Sequence, residues 1–350
     1  MTDPLSPSRN PPVSDDAQSS AVRARAALLR LSSRSGVALL VVLAVLIGVF
    51  SALAPSSFAS LSNVRNIAIN AAPLLLLAVG ETFVIIAGGI DLSVGSVLVF
   101  AGVLSAKSMG AIDADPSAGW AVVLVGLLVA IAGGGAWGLV NGLLVARTRI
   151  PPLIVTLGTL TAALGSAQLL TGGVDLLTVP NHLSISVGTG TVAGVPWLVI
   201  IAGVVALLFG SVLAFTRFGE HTYAIGSSFE AARRAGLNIR GHLTKVYLLQ
   251  GLLAGLAGWL FLARFGTTSI GGHLSDNLTA IAAVIIGGTS LFGGSGTMLG
   301  TVIGILIPAV LLNGFIIVGL QPFWQEVAVG AVLVGAVFVD QQRRKVRERE

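Results

Sequence analysis

Four amide or carboxyl side chains interrupt otherwise apolar sequence: Glu81 in AVGETFVII, Asp91 in GGIDLSVG, Asn141 in GLVNGLLV and Asn313 in VLLNGFII. Ser93 follows Asp91 by two residues. Polar and ionisable groups inside lipid-spanning sequence are costly, so they tend to mark a route for polar solutes or ions. A weakly binding lining of such groups suits a hydroxyl-rich solute. Asp91 and Ser93 are expected to organise a broken helical hairpin, with Glu81 lining the pathway or pairing structurally. A purely structural role is also open to Asp91, whose carboxylate can accept backbone N–H groups at the start of the next helix.

No catalytic constellation accompanies these residues. Cysteine is absent, which excludes disulfides, thiolate metal sites and cysteine nucleophiles. The histidines, His182, His221, His242 and His273, lack the paired spacing that holds a metal. Gly293-Gly294-Ser295-Gly296 fits a G-x-S-G nucleophile motif, but no histidine follows it to act as base. Neither glycine cluster ends in the Lys-Ser/Thr pair of a phosphate-binding loop.

The elements that must position these residues are membrane helices. Of 350 residues 54% are hydrophobic and 10% charged, and the mean hydropathy is +0.93, too apolar for the surface of a water-soluble globule. A span needs about 20 residues, and only helices satisfy their own backbone within such a segment. The candidate spans are Gly36–Ala54, Ile67–Gly88, Leu92–Met109, Gly119–Ala146, Leu153–Gly172, Val195–Phe215, Leu243–Arg264, Asn277–Leu291, Thr297–Val318 and Trp324–Val339. The second, third and eighth have boundaries rich in Gly, Asp and Ser, which marks them as candidates for broken helices. The fold class expected is therefore an all-α polytopic membrane protein of about ten helices. Ala52-Leu53-Ala54 mimics a signal cleavage site, but the apolar run is about 19 residues and Pro55 follows, so the segment reads as an uncleaved first helix.

Seventeen of the twenty Lys and Arg residues fall in the tails and on one side of this topology, leaving Arg65, Lys107 and Arg264 on the other. The positive-inside rule then places both termini in the cytoplasm. Residues 1–35 read as a disordered basic tail, 36–340 as the transmembrane domain and 341–350 as a second basic tail. Glycines recur every four residues at Gly134, Gly138 and Gly142 and at Gly296, Gly300 and Gly304, with Gly251 and Gly255 as a shorter row. Such rows let helix backbones approach closely. The chain also repeats itself: Gly88–Ser96 aligns with Gly287–Ser295 after a shared Val-Ile-Ile, as duplicated transporter halves do near their pathway.

Between the sixth and seventh spans lies the polar loop 216–242. Within it Ser227-Ser228-Phe229-Glu230 places Ser and Glu three apart, a capping-box start, and Gly236 supplies a left-handed stop. The residues between are strong helix formers, so a two-turn helix outside the membrane is expected.

The run AIGSSFEAARRAGLNIRGH resembles the EAA-type coupling loop of ABC-importer permeases. VIIAGGIDLSVGSVL and TAIAAVIIGGTSLFGGSGTMLGTVIG are similar to segments of the permease subunits of ribose, xylose, arabinose and galactose importers, in the branched-chain amino acid/ribose permease family. The likeness runs from about Gly36 to Asp340. Arg234-Ala235-Gly236-Leu237 stands where Leu-Ser-Gly-Ile is common, and Glu81 often has Met as its counterpart. The resemblance implies a transport subunit of the bacterial inner membrane, not an enzyme. Its implied partners are a second permease chain, homo- or heteromeric, an ATP-binding cassette chain and an extracytoplasmic sugar-binding protein, with membrane lipid around it and no nucleic acid. No cofactor is expected in this chain, since ATP and Mg would bind the cassette. Phe229, Glu230, Ala231, Ala232, Arg233, Arg234, Ala235 and Gly236 would form the lever driven by that cassette. Arg65, Lys107 and Arg264 would meet acidic groups on the binding protein. An ion-coupled secondary sugar transporter, working through Glu81 and Asp91, is the alternative reading.

Overall fold

The computed structural model describes residues 34–338 apart from 116, 178, 272, 274, 322, 325, 326, 329, 332, 333, 336 and 337. The tails expected at 1–35 and 341–350 lie outside these residues, except where the first helix begins at Arg34. The elements are α1 (Arg34–Leu53), α2 (Pro55–Phe58), α3 (Leu61–Ile86), α4 (Val94–Ile112), α5 (Trp120–Arg147) and α6 (Pro152–Thr171). A π-helical turn (Leu183–Gly188) and a two-residue antiparallel hairpin, β1 (Thr191–Val192) with β2 (Val195–Pro196), follow. Then come α7 (Trp197–Phe215), α8 (Arg217–Ser227), α9 (Phe229–Arg234), α10 (Ile239–Phe265), α11 (Asp276–Ile286) and α12 (Met298–Ile317).

Among the described residues eight helices, α1, α3 to α7, α10 and α12, are long and apolar enough to cross a bilayer. The chain is a polytopic, all-helical membrane protein. The expected breaks fall differently from the sequence reading: α3 and α4 are continuous, and the break lies between them. The eighth expected span is short. Eleven residues of α11 rise about 16 Å, half of a roughly 30 Å hydrocarbon layer. The tenth expected span, Trp324–Val339, is described only in part; its described residues through Phe338 are helical and the rest lie outside.

Polar caps explain why two helices begin earlier than hydropathy alone indicates. Ser60 Oγ accepts the Asn63 N–H, so α3 starts at Leu61 and takes Asn63 and Arg65 into its first turns. Asn238 Oδ1 does the same for Gly241 and starts α10 at Ile239.

Helices α3 and α10 form the interior, with 83% and 78% of their most apolar windows buried, against 11% for α1 and 22% for α7. The outer helices present Leu40, Val45, Leu207 and Leu208 outward, as a lipid-facing surface requires. Close approach of α5 and α10 depends on the glycine rows: a methyl on Gly134 or Gly138 would run into the α10 backbone at Gly251 and Gly255 or at Tyr247 and Gly251. The third row packs α12 on α11, with Gly300 against Gly287 and Gly304 against Ala283.

The bundle has two distinct ends, about 40 Å apart along the 27 residues of α10. One end carries α8 and α9, which join α7 to the start of α10. The other carries the described residues of 172–196 and 266–275.

Candidate functional site

Two helices stop in the same way inside the bundle. At the end of α3, Ala87 N–H bonds to Phe83 O, Gly88 N–H to Ile85 O and Gly89 N–H to Val84 O, and Gly88 has φ +85°. At the end of α11 the matching bonds run from Gly287 to Ala283, Gly288 to Ile285 and Thr289 to Val284, with φ +88° at Gly288. Glycine takes this left-handed conformation without the Cβ clash that other residues meet. The structural register therefore pairs Gly88 with Gly288, one residue away from the alignment read on sequence identities, which paired Gly88 with Gly287. Helical hydrogen bonding sets the register, and the Val-Ile-Ile lead is its sequence signature.

After the first stop the chain enters a buried polar cluster. Asp91 Oδ1 accepts the Ser93 N–H at 2.8 Å and the Ser93 hydroxyl at 2.6 Å. Asn141 Nδ2, from α5, donates to Ser93 Oγ at 2.8 Å and to Asp91 Oδ2 at 3.4 Å. Glu81 Oε1 accepts the Asp91 N–H at 3.1 Å, and Glu81 Oε2 accepts from Gln250 Nε2 of α10 at 3.3 Å. Glu81, Asp91, Ser93, Asn141 and Gln250 are all buried. Thr156 of α6 closes the group by donating to Ile90 O. The structure thus brings together four of the five pathway residues expected from sequence, and adds Gln250 and the neighbouring Tyr247. The fifth, Asn313, stands apart near the far end of α12, beside Gly314, whose Cα packs on Phe50 of α1. Gln250 was open to the same reading that singled out Asn141 and Asn313, an amide inside an apolar helix, whereas Tyr247 reads as ordinary apolar filling.

The loop 216–242 holds two helices where one was expected. Thr216 Oγ1 caps α8 by accepting the Gly219 N–H. The buried positions of α8, Gly219, Thr222 and Ile225, recur at three-residue spacing, a short amphipathic signal inside a polar stretch. Ser228 Oγ then accepts the Ala231 N–H and starts α9. This makes Ser228 the cap and Glu230 the second helical residue, so the expected capping box from Ser227 does not form. Glu230 instead pairs with Arg233 at 3.2 Å on the surface. The stop is as expected: Gly236 has φ +79°, and Leu237 N–H reaches back to Ala232 O. One face of α9 is fixed by Ala232, which packs with Ile225, Leu237, Ile239 and Leu243. Phe229, Glu230, Ala231, Arg233, Arg234, Ala235 and Gly236 remain exposed.

The last turn of α8 lies where the first helix stop meets the loop that follows the second. A methyl on Gly226 would overlap the Ile86 carbonyl, at the end of α3, and the amide of Gly294, in the loop after α11. Gly294 N–H donates to that same Ile86 carbonyl at 2.9 Å, and Tyr223 of α8 donates to Gly296 O at 2.8 Å. Three backbones are therefore in direct contact one turn before α9.

At the opposite end, the basic residues expected to dock a partner are engaged within the chain. Arg65 Nη2 donates to Gly194 O at 2.6 Å and Lys107 Nζ to Leu170 O at 2.7 Å. Arg264 lies over the Phe265 ring at 5.9 Å. Among the described residues no group of three or more His, Asp or Glu side chains is arranged to hold a metal.

A model of the family described as "Branched-chain amino acid transport system / permease component" matches residues 63–337. The chain is 37% identical over 308 residues to the ribose import permease protein RbsC of Escherichia coli (strain K12), covering 87% of this chain and 93% of that protein. It is 34% identical over 299 residues to the D-allose transport system permease protein AlsC of the same organism, covering 85% and 89%. It is 32% identical over 347 residues to the L-arabinose ABC transporter permease protein AraH of Azospirillum brasilense, covering 99% and 98%. No solved structure matches it. This membrane-spanning bundle with two glycine-stopped helices and a short exposed helix at one end, matched over most of its length, belongs to the permease-component family of branched-chain amino acid transport systems.

Proposed function

We propose that this chain is the permease subunit of an ATP-driven importer of the bacterial inner membrane, and that it carries a monosaccharide. A second permease chain would complete the path, an ATP-binding cassette chain would dock on α9 from the cytoplasm, and an extracytoplasmic binding protein would deliver the sugar to the other end. Both tails and α8–α9 then share the cytoplasmic side.

The observation that supports this most is the placement of Gly226. A helix as short as α9 has too few turns to be stable alone, so its rigidity comes from the Ala232 face packed on Ile225 and Ile239. Its exposed side offers Phe229, Arg233 and Arg234 to a partner. A push on that side passes through α8 to Gly226 and so to both helix stops. Buried polar groups at the first stop supply hydrogen bonds for a hydroxyl-rich solute once the bundle opens, in the region of Glu81, Asp91, Ser93 and Asn141. The sugar reading draws on the relatives named for ribose, D-allose and L-arabinose.

Reconstitution in proteoliposomes with a cassette chain and a loaded binding protein tests the reading. Uptake of at least one of ribose, allose, arabinose, galactose or fructose is expected to need all three components and ATP. Accumulation by this chain alone, abolished by collapsing an ion gradient and indifferent to ATP, would overturn it in favour of ion-coupled transport.

A further inference from the structure

At the end opposite α8 and α9, a cavity of about 300 Å³ lies between α4 and the last turns of α10. We propose that it is a resting site for one neutral monosaccharide, entered before the buried polar cluster. The proposal rests on the sugar-permease reading and names a site within it.

The volume is at the lower end of the roughly 300–1,000 Å³ of small-molecule sites. Phe261 and Phe265 line it, stacked on each other at 5.6 Å with an interplanar angle of 16°, and the His273 ring lies 4.2 Å from Phe261, giving an apolar wall for the C–H groups of a sugar. Polar groups come from Asp175, Thr267, Thr268, Ser269 and His273. Two of these build the wall: Thr267 Oγ1 donates to Leu176 O, and Thr268 Oγ1 accepts the Leu176 N–H. The other three have capacity for a ligand. Asp175 uses Oδ1 to accept the Ile270 N–H at 2.8 Å, and Oδ2 has no partner among the described residues. Ser269 Oγ is likewise without a hydrogen bond among the described residues, though it lines the cavity. His273 Nδ1 bonds to Asp276 Oδ2 at 2.8 Å, a carboxylate that only accepts, so Nδ1 carries a proton and Nε2 is left to hydrogen-bond a hydroxyl.

The charge pattern selects the solute class. Among the described residues the carboxyl group lining the cavity is that of Asp175, whose Oδ2 would face the carboxylate of an amino acid unfavourably. A sugar brings only hydroxyls. The cavity lies near the start of α4: the carbonyl of His273, which lines it, abuts Gly95, and Asn277 Nδ2 donates to Leu92 O at 2.9 Å. A ligand beside Phe261 and His273 therefore lies next to a residue whose backbone meets α4 at Gly95, two positions beyond Ser93.

Because the chain has no cysteine, Ser269→Cys introduces a single thiol into the cavity. In nanodiscs, its alkylation by a maleimide is expected to slow several-fold with millimolar ribose, allose, arabinose, galactose or fructose, for at least one of the five. Leucine and valine should leave it unchanged, as should any sugar for a thiol placed on the exposed surface of α2 by Ser57→Cys. Asp175→Asn in the Ser269→Cys background should raise the sugar concentration that gives half-protection. Unchanged alkylation with every sugar, in a chain that imports one of them when reconstituted with its partners, overturns the resting site alone. Protection by leucine instead of a sugar overturns the solute class. Failure to import any of the five sugars in the reconstituted system removes the permease reading and the site with it.

Discussion

The two helix stops share one backbone device and use it for different ends. Gly88 and Gly288 have φ values within a few degrees of each other and identical hydrogen bonds. Asp91, three residues beyond Gly88, carries a carboxylate whose acceptor bonds are buried, and α4 begins three residues later at Val94. Beyond Gly288 a longer, glycine-rich loop leads to α12 at Met298, carries no charge, and is spent on contact with α8 through Gly294 and Gly296. The lesson is that the backbone geometry alone sets where a helix ends, while the side chains after it decide whether the stop also holds a polar cluster.

That comparison can be broken first at Asp91. Asp91→Ala strips the acceptor from the Ser93 N–H and the Ser93 hydroxyl, each orphaned group costing about 1–3 kcal/mol, and leaves the Asn141 amide only its bond to Ser93 Oγ. A fall in detergent melting temperature together with lost uptake is expected. Asp91→Asn, which keeps one acceptor oxygen, should lose much less, and equal losses for the two variants would refute the hydrogen-bonding account. The shared device is tested next: Gly88→Ala and Gly288→Ala each force a Cβ into the left-handed region at about 1–2 kcal/mol, so their melting temperatures should fall by similar amounts. A marked difference would show that the stops are not equivalent. The smallest effect belongs to Thr289, whose buried hydroxyl has no partner among the described residues. Thr289→Val keeps the shape and removes that unpaired group, so melting should be unchanged or slightly raised.

Much of this was legible in sequence because lipid imposes blunt rules. Apolar runs of about 20 residues gave α1, α5, α6, α7 and α12 close to their observed limits, and the glycine rows at Gly134 and Gly251 proved to face each other. The end of α9 was readable because only glycine suits Gly236. Helix starts were less so: Ser60, Ser228 and Asn238 each act through one side-chain bond, and many polar residues in loops could have done the same. Gly226 was invisible, since nothing in the string GSS tells that two other backbones converge on it. Long-range pairings such as Glu81 with Gln250 depend on how α3 lies along α10, which periodicity within either helix does not fix.

The central claim is that α8 transmits work from α9 to both stops through Gly226, and the number of ATP molecules hydrolysed per sugar taken up by proteoliposomes reads it directly. For Gly226→Ala in the reconstituted complex, hydrolysis is expected to continue while uptake falls, raising that ratio several-fold over the unsubstituted chain. An unchanged ratio, with uptake and hydrolysis both intact, would contradict the claim.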